Sequence, residues 1–326
     1  MASGTLVIGE STEDGKLNPV VPELIGIGSR LGGPVTVALL GSGVEGVAQE
    51  AGAFGASKVF VIDDAILKDY QGDSYVPIAE RIAKEVNPAV ILMGQTMMGR
   101  DLAPRLAQRL GTAVAMDCVN FEMQGDKLIA ERPCYGGSAR ARYTINGMPQ
   151  IATVRAKAQE PAERDDSREA EVVKQPAGVG EGDVRTRIVE RRKEKAEGVR
   201  LEDAKVVVSG GRGLGGPEGF KPLEEMADVL GGAVGASRAV CDLGWYPVAN
   251  QVGLTGKVVT PDLYIAVGIS GASQHMAGIS SVKNIVAINK DPDASIFKSS
   301  RWAVVGDWKE IVSGFTEKVR QLKASG

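Results

Sequence analysis

Short apolar runs alternate with segments of helical periodicity along most of the chain, and this alternation is the strongest constraint on its fold. In the first third, TLVIG, VTVALL, VFVID and VILMG begin at residues 5, 35, 59 and 90, and each precedes a segment with apolar residues at helical spacing. Near-continuous apolar strands joined by helices predict a parallel sheet that is covered on both faces.

The alternation of strand and helix patterns begins again at Asp203. The predicted strands there are KVVVSGG, GAVGASRAV, LYIAVGI, NIVAINK and AVVGD, and the predicted terminal amphipathic helix is WKEIVSGFTEKVRQLKAS. Right-handed crossovers between parallel strands build a doubly wound sheet whose ligands bind beyond the carboxyl ends of the strands. A chain of 326 residues is long enough for two such domains. The sequence therefore predicts an α/β protein with an N-terminal domain at 1–200 and a C-terminal domain at 201–326.

Two segments between these α/β regions follow other patterns. From Cys118 to Lys157, strand-like pieces are separated by turns that contain glycine, which predicts hairpins at the edge of the first sheet. Residues 158–200 are highly charged and punctuated by proline and glycine, so they are interpreted as a solvated connector with one or two exposed strands.

Charge and composition exclude several classes of function. The formal net charge is −3, from 38 basic and 41 acidic residues, which gives no general attraction to nucleic acid. No run of 18 or more apolar residues would insert into a membrane, and the start has no pattern of a targeting segment, so we expect a cytoplasmic protein. Cys118, Cys134 and Cys241 form no CxxC pair and predict buried thiols, with no metal site.

The segment GRGLGG, Gly211–Gly216, fits the G-x-G-x-x-G pattern of dinucleotide-binding turns, between a strand and a helix. That pattern also expects an acidic residue at the end of the next strand, where this chain has Ser237 and Arg238. An arginine there would suit the 2′-phosphate of NADP, so an NADP-dependent dehydrogenase is one alternative. The only histidine, His275, follows a different strand, and no substrate domain is evident around it.

Polar residues follow the predicted strands of the second domain, and parallel strands bring such residues to one edge. Arg212 follows the first strand, Ser237 and Arg238 the second, Ser270–His275 the third and Asn289–Asp291 the fourth; Thr255 lies in QVGLTGK. The small residues Ser270–Ala272 would suit a phosphate at the start of a helix. His275 would then lie about one helical turn further on, close to the group that carries the phosphates.

In the second domain a family resemblance is carried by VVVSGGRGLGG, LYIAVGISGA and IVAINKDPDA, and in the first by GRDLAPRLAQRLGT and RPCYGGSARA. With these blocks the chain resembles the alpha subunit of electron transfer flavoprotein, the FixB-type family, over most of its length. The resemblance implies an N-terminal nucleotide-hydrolase-like parallel α/β domain and a C-terminal Rossmann-like doubly wound domain that binds FAD. Leu254 departs from the family's usual glutamine, Trp308 from leucine and Ser273 from an apolar residue. Leu254 puts the loop geometry near the flavin in question.

The resemblance also implies roles for individual residues. Arg238, Thr255 and His275 would tune the flavin: Arg238 lies against the ring system, Thr255 near N5, and His275 at the N1/C2-carbonyl edge where negative charge gathers on reduction. The implied cofactor-binding residues are Arg212, Ser237, Arg238, Gln251, Val252, Gly253, Leu254, Thr255, Ser270, Gly271, Ala272, Ser273, Gln274, His275, Asn289, Asp307 and Trp308.

A resemblance to this family implies an electron carrier rather than an enzyme that converts a substrate. The chain would form a heterodimer with an electron transfer flavoprotein beta subunit, which holds AMP or a second FAD. Electrons would come from acyl-CoA dehydrogenases of fatty acid beta-oxidation, or from related flavoenzymes, and pass to a quinone oxidoreductase or another acceptor. The alternative within the family is an electron-bifurcating flavoprotein that uses NADH.

Overall fold

The structure is a computed structural model that describes residues 3–12, 14–137, 139–186, 188–190 and 199–325. Contacts between Cα atoms divide the chain into two compact units. The first comprises Met1–Pro133 and Arg140–Arg191, and the second Cys134–Ala139 and Arg192–Gly326.

Strands and helices alternate along the first part of the chain. The strands are β1 (Thr5–Gly9), β2 (Val35–Gly41), β3 (Lys58–Asp63), β4 (Val90–Gly94), β5 (Val114–Cys118), β6 (Asn120–Gln124), β7 (Lys127–Cys134), β8 (Ala139–Thr144), β9 (Gln150–Val154) and β10 (Glu171–Lys174). The helices are α1 (Val20–Leu31), α2 (Ala48–Ala53), α3 (Gly72–Val86) and α4 (Met97–Arg109).

The first unit contains a seven-stranded parallel sheet in the order β10-β3-β2-β1-β4-β9-β5. Every residue of β1, β2, β4 and β9 is buried, as expected for strands that are covered on both faces.

The predicted hairpin is confirmed for β6 and β7, but its predicted place at the edge of the first sheet is wrong. Strands β6, β7 and β8 form a separate three-stranded sheet, with β6 and β7 antiparallel. Strand β9 is an interior strand that pairs in parallel with both β4 and β5. The five residues of β9, QIATV, are fully buried, like those of the other interior strands β1, β2 and β4.

The charged connector at 158–200 includes residues 187 and 191–198, which lie outside the described residues; its described part contributes one strand, β10, which pairs in parallel with β3 at the other edge of the first sheet. Its two end residues are exposed and its two middle residues are half-buried, which fits the predicted exposed strand. Cys118 and Cys241 are buried as predicted, whereas Cys134 is half-buried. Within the described ranges, no helix combines the length and the hydropathy that crossing a membrane requires.

The strands of the second unit are β11 (Val206–Gly210), β12 (Ala233–Ser237), β13 (Gln251–Val252), β14 (Leu263–Val267), β15 (Ile285–Asn289) and β16 (Trp302–Val305). Its helices are α5 (Phe220–Leu230), α6 (Arg238–Asp242), α7 (Ser273–Ala277) and α8 (Trp308–Ser325). The strands form a six-stranded sheet in the order β13-β12-β11-β14-β15-β16, with every neighbouring pair parallel. Counted within this unit, the order is 3-2-1-4-5-6, the doubly wound arrangement predicted from the sequence.

This topology determines where a ligand can bind in the second unit. The order of the strands reverses between β11 and β14, where Gly210 pairs with Val267 at the end of both strands. The chain leaves these two strands in opposite directions, so their following loops separate and open a crevice at the carboxyl edge.

Candidate functional site

A cavity of about 630 Å³ lies at the carboxyl ends of β11, β12, β14 and β15. A smaller cavity of about 230 Å³ shares Gly213, Gly268 and Asn289 with it. Both lie at the crevice that the topology predicts, and the larger one is within the usual range of about 300–1,000 Å³ for small-molecule sites. Two cavities that share a wall suit a long ligand.

Most of the residues implied by the sequence line these cavities. Asp307 and Trp308 line the smaller one, which is also lined by Asn289. The larger one is lined by Arg212, Ser237, Arg238, Gln251, Val252, Gly253, Leu254, Thr255, Ser270, Ala272, Gln274, His275 and Asn289.

Gly271 and Ser273 do not line either cavity. Gly271 is buried with φ +88°, and a Cβ there would lie 2.3 Å from the backbone nitrogen of Ile296. The need for glycine at this position is therefore explained by packing within the protein. Ser273 is exposed at the first position of α7, where its hydroxyl donates to Gln274 Oε1.

Close backbone packing also explains the glycine pattern at Gly211–Gly216. A Cβ on Gly211 would lie 2.3 Å from the carbonyl oxygen of Gly268, and one on Gly213 would lie 2.7 Å from the Gly268 Cα. The loops after β11 and β14 thus touch through their backbones at the point where the strand order reverses. Arg212, between these glycines, is exposed at the cavity wall.

Arg238 begins α6 directly after β12, and its Nε donates to the Asp242 carboxylate at 3.2 Å, one helical turn away. The two side chains remain about two-thirds exposed, and both residues line the cavity. An arginine has five N–H donors, so the terminal amino groups remain for an anionic or aromatic ligand. Asp242 was missed by sequence reasoning, although its i,i+4 spacing from Arg238 was a usable signal.

The loop from Gln251 to Lys257 holds Thr255 at the cavity. Gln251 is buried, and its side-chain amide donates to Thr255 Oγ1 at 3.0 Å. The threonine hydroxyl can then direct its own hydrogen to an acceptor in the cavity. Leu254, which is 66 % exposed, keeps the loop in place through its backbone nitrogen, which donates to the Gln274 carbonyl oxygen at 2.8 Å.

His275 is the third residue of α7, is 6 % exposed and lines the cavity. Its Nε2 lies 2.9 Å from the hydroxyl oxygen of the fully buried Tyr264, and Nδ1 has no hydrogen-bond partner among the described residues. Burial lowers the pKa of His275 to about 4, against a smaller opposite effect from the backbone of Val252. The imidazole is therefore neutral at pH 7, with one buried nitrogen left unpaired.

The prediction that a phosphate binds at Ser270–Ala272 relied on the dipole of the helix that follows, and α7 is short. The helix has only five residues, so its dipole is small. Polar side chains at the neighbouring strand ends form hydrogen bonds with the loop backbone. Asn289 Nδ2 donates to the Ile269 carbonyl oxygen at 3.0 Å, and Asp307 Oδ1 accepts from the Lys309 backbone nitrogen at 2.9 Å. Lys290 and Lys309 line the smaller cavity and supply cations there.

The two ends of the crevice thus differ in chemistry. One end combines Arg238, the hydroxyl of Thr255 and the neutral ring of His275, while the other combines lysines with the backbone of glycine-rich loops. Donors and cations at both ends favour a long ligand with anionic or electron-rich groups. The orphaned Nδ1 of His275 is an observation that a bound acceptor would explain.

Comparisons with known proteins agree with this architecture. Residues 5–179 match the family described as "Electron transfer flavoprotein domain", and residues 200–280 match "Electron transfer flavoprotein FAD-binding domain". The chain is 45% identical over 316 residues to the electron transfer flavoprotein subunit alpha of Thermoanaerobacterium thermosaccharolyticum, over 95% of this chain and 96% of the relative. It is 44% identical to the Bacillus subtilis subunit alpha, over 99% of each chain, and 40% identical to Protein FixB of Clostridium saccharobutylicum, over 98% and 97%.

Proposed function

Because this chain belongs to the electron transfer flavoprotein alpha-subunit family, which includes FixB proteins, we propose that it binds one FAD in the crevice of its second unit and carries electrons between flavoenzymes. The observation that carries the proposal is the convergence of Arg238, Thr255 and His275 on one cavity at the carboxyl edge of a 3-2-1-4-5-6 sheet. When bound, FAD supplies the redox chemistry, since it takes up two electrons and can release them singly.

The residues of the chain suit a flavin in three ways. The guanidinium of Arg238 places a fixed cation at the wall of the cavity, and a cation favours a ring system that gains negative charge. Thr255, oriented by Gln251, has a hydroxyl hydrogen free for a ring nitrogen. His275 adds a neutral imidazole whose unpaired nitrogen can meet the edge that becomes charged.

The remaining predicted contacts belong to the same proposal. Arg212, Ser270 and Asn289 would face the phosphates, and Asp307 and Trp308, at the smaller cavity, the adenosine. Gly271 and Ser273 would support the loop instead, since neither lines a cavity.

The wider role rests on family membership. The chain would pair with a beta subunit in the cytoplasm, accept electrons from acyl-CoA dehydrogenases of fatty acid beta-oxidation or related flavoenzymes, and pass them to a quinone oxidoreductase or another acceptor. Bifurcation from NADH would require a second flavin in the partner.

Co-purification of the full chain with an electron transfer flavoprotein beta subunit from the same organism tests the proposal. We expect a yellow heterodimer that contains FAD, and the Arg238→Gln variant should hold FAD more weakly. One FAD plus AMP per heterodimer supports simple electron transfer, and two FAD support bifurcation. A colourless heterodimer that does not take up added FAD but turns over NADPH with a small substrate would favour the dehydrogenase and refute the proposal.

A further inference from the structure

His275 and Tyr264 form a buried pair at the cavity. His275 lines the cavity, whereas Tyr264, on β14, does not line it and is 0 % exposed. The hydroxyl oxygen of Tyr264 and Nε2 of His275 are 2.9 Å apart, a normal hydrogen-bond distance. This contact occupies one of the two ring nitrogens, and Nδ1 has no partner among the described residues.

The direction of this hydrogen bond decides which nitrogen carries the ring proton. A neutral imidazole has one N–H donor and one bare nitrogen that accepts, and burial keeps this imidazole neutral near pH 7 because it lowers the pKa to about 4. Burial also raises the pKa of Tyr264 far above its ordinary value, so the phenol keeps its hydrogen and must direct it to an acceptor.

The two possible directions leave different numbers of buried groups unpaired. If Nε2 donated to the phenol oxygen, the hydroxyl hydrogen of Tyr264 would have to turn to Ser209, the other hydrogen-bond partner of this phenol, and Nδ1 would be bare beside the backbone of Val252. If the hydroxyl donates to Nε2, the phenol oxygen can accept from Ser209, and the ring proton lies on Nδ1. Each unpaired buried group costs about 1–3 kcal/mol. The backbone of Val252 also favours a proton on the ring.

We propose that Tyr264 donates its hydroxyl hydrogen to Nε2 and so fixes the proton of His275 on Nδ1, which makes His275 a hydrogen-bond donor to the bound flavin. The second half of this statement rests on the proposed function. Tyr264 is a positioning residue here, because it acts on the cofactor only through His275. An unfixed proton would leave a bare nitrogen opposite the flavin edge in part of the molecules, where it would repel negative charge instead of stabilising it.

The tautomer can be measured directly, because His275 is the only histidine in the 326 residues. The full-length chain, labelled with ¹⁵N-histidine and combined with its unlabelled partner subunit, would show ring signals from this residue alone, and protonated and bare nitrogens have well-separated ¹⁵N shifts. We expect Nδ1 to be protonated and Nε2 bare in the wild-type protein. A protonated Nε2 in the wild-type protein would overturn the proposal without any variant.

Two tyrosine variants provide the comparison. In Tyr264→Phe the proton should redistribute between the two nitrogens, because the donor that kept Nε2 bare is gone. In the matched control Tyr246→Phe the tautomer should stay as in the wild type, since that hydroxyl contacts Glu224 instead. An unchanged tautomer in folded Tyr264→Phe would also overturn the proposal.

The flavin provides a second measurement. In Tyr264→Phe we expect the equilibrium constant for uptake of the first electron by bound FAD to fall about tenfold, which is about 59 mV for one electron, with little change for Tyr246→Phe. A changed tautomer with an unchanged potential would refute the link to the flavin. A wild-type heterodimer without flavin would refute the proposed function, while the tautomer measurement would still test the Tyr264–His275 pair.

Discussion

Glu10, directly after β1, should make the stability of the first unit depend on pH. Its carboxylate accepts a hydrogen bond from Thr96 Oγ1 at 2.6 Å, at the start of α4. Burial raises the pKa of Glu10 from 4.5 to about 7, although the Thr96 contact acts in the opposite direction. A carboxyl group whose pKa is raised by folding stabilises the folded state below its unfolded pKa, and this stability is lost as the pH rises through the folded pKa.

The magnitude follows from these two values. A difference of 2.5 pKa units, between about 7 and 4.5, corresponds to at most about 3.4 kcal/mol once the group is ionised in both states. About 0.8 kcal/mol of this loss in the free energy of unfolding has already occurred at pH 5, because Glu10 is partly ionised in the unfolded chain there. Glu10→Gln retains an oxygen for Thr96 and cannot ionise. Its stability relative to the wild type should therefore rise by about 2 to 3 kcal/mol from pH 5 to pH 8.

Equilibrium urea unfolding of both proteins at pH 5 and pH 8 measures this difference, and other groups that titrate cancel in the comparison. Glu80→Gln is the matched control, because Lys84 and Arg109 bind the Glu80 carboxylate and lower its pKa. Between pH 5 and pH 8 the stability of that variant relative to the wild type should stay nearly constant, because Glu80 is largely ionised in both the folded and the unfolded state there. If the Glu10→Gln difference is the same at both pH values, Glu10 is not ionising in this range and the reasoning fails.

Three further results are expected. Gly271→Ala should lower the free energy of unfolding by more than about 2 kcal/mol in urea, because φ is +88° and the new Cβ would lie 2.3 Å from the backbone nitrogen of Ile296. The control Gly43→Ala, at φ +77° with open space around the Cβ, should lower it by about 1 kcal/mol, and equal losses would contradict the packing argument. Arg238→Gln should raise the Kd for FAD about tenfold in a flavin-fluorescence titration, and an unchanged Kd would place the guanidinium away from the ligand. Gln251→Leu should shift the flavin absorption bands as Thr255 loses its fixed orientation, and a spectrum identical to that of the wild type would exclude this role.

The strands around the site were predictable because their signals are local. Apolar runs identify β11, β12, β14 and β15, and parallel pairing brings their ends to one edge whatever the details of packing. The residues at these ends, from Arg212 to Asn289, therefore meet at the cavity as expected. Strand β13 was missed, since two residues carry no periodic signal.

Contacts between distant side chains could not be read from the sequence. Tyr264 was visible only as an apolar position of a strand, and its hydroxyl contact with His275 depends on how α7 packs against β14. The interior position of β9 was also beyond the local pattern, because a short buried strand has the same sequence character at an edge or inside a sheet.

The interior position of β9 has a consequence for how the protein emerges from the ribosome. Strands β1 to β4 can pair as soon as they are synthesised, but β5 pairs only with β9, which follows some thirty residues later, after the three-stranded sheet. Until residue 154 has been added, β5 has no neighbour in the first sheet. A nascent chain halted before Gln150 should therefore leave the backbone amides of Val114–Cys118 open to hydrogen exchange, while those of β1 and β2 are already protected. Protection of β5 in such a chain would show that it finds another partner first.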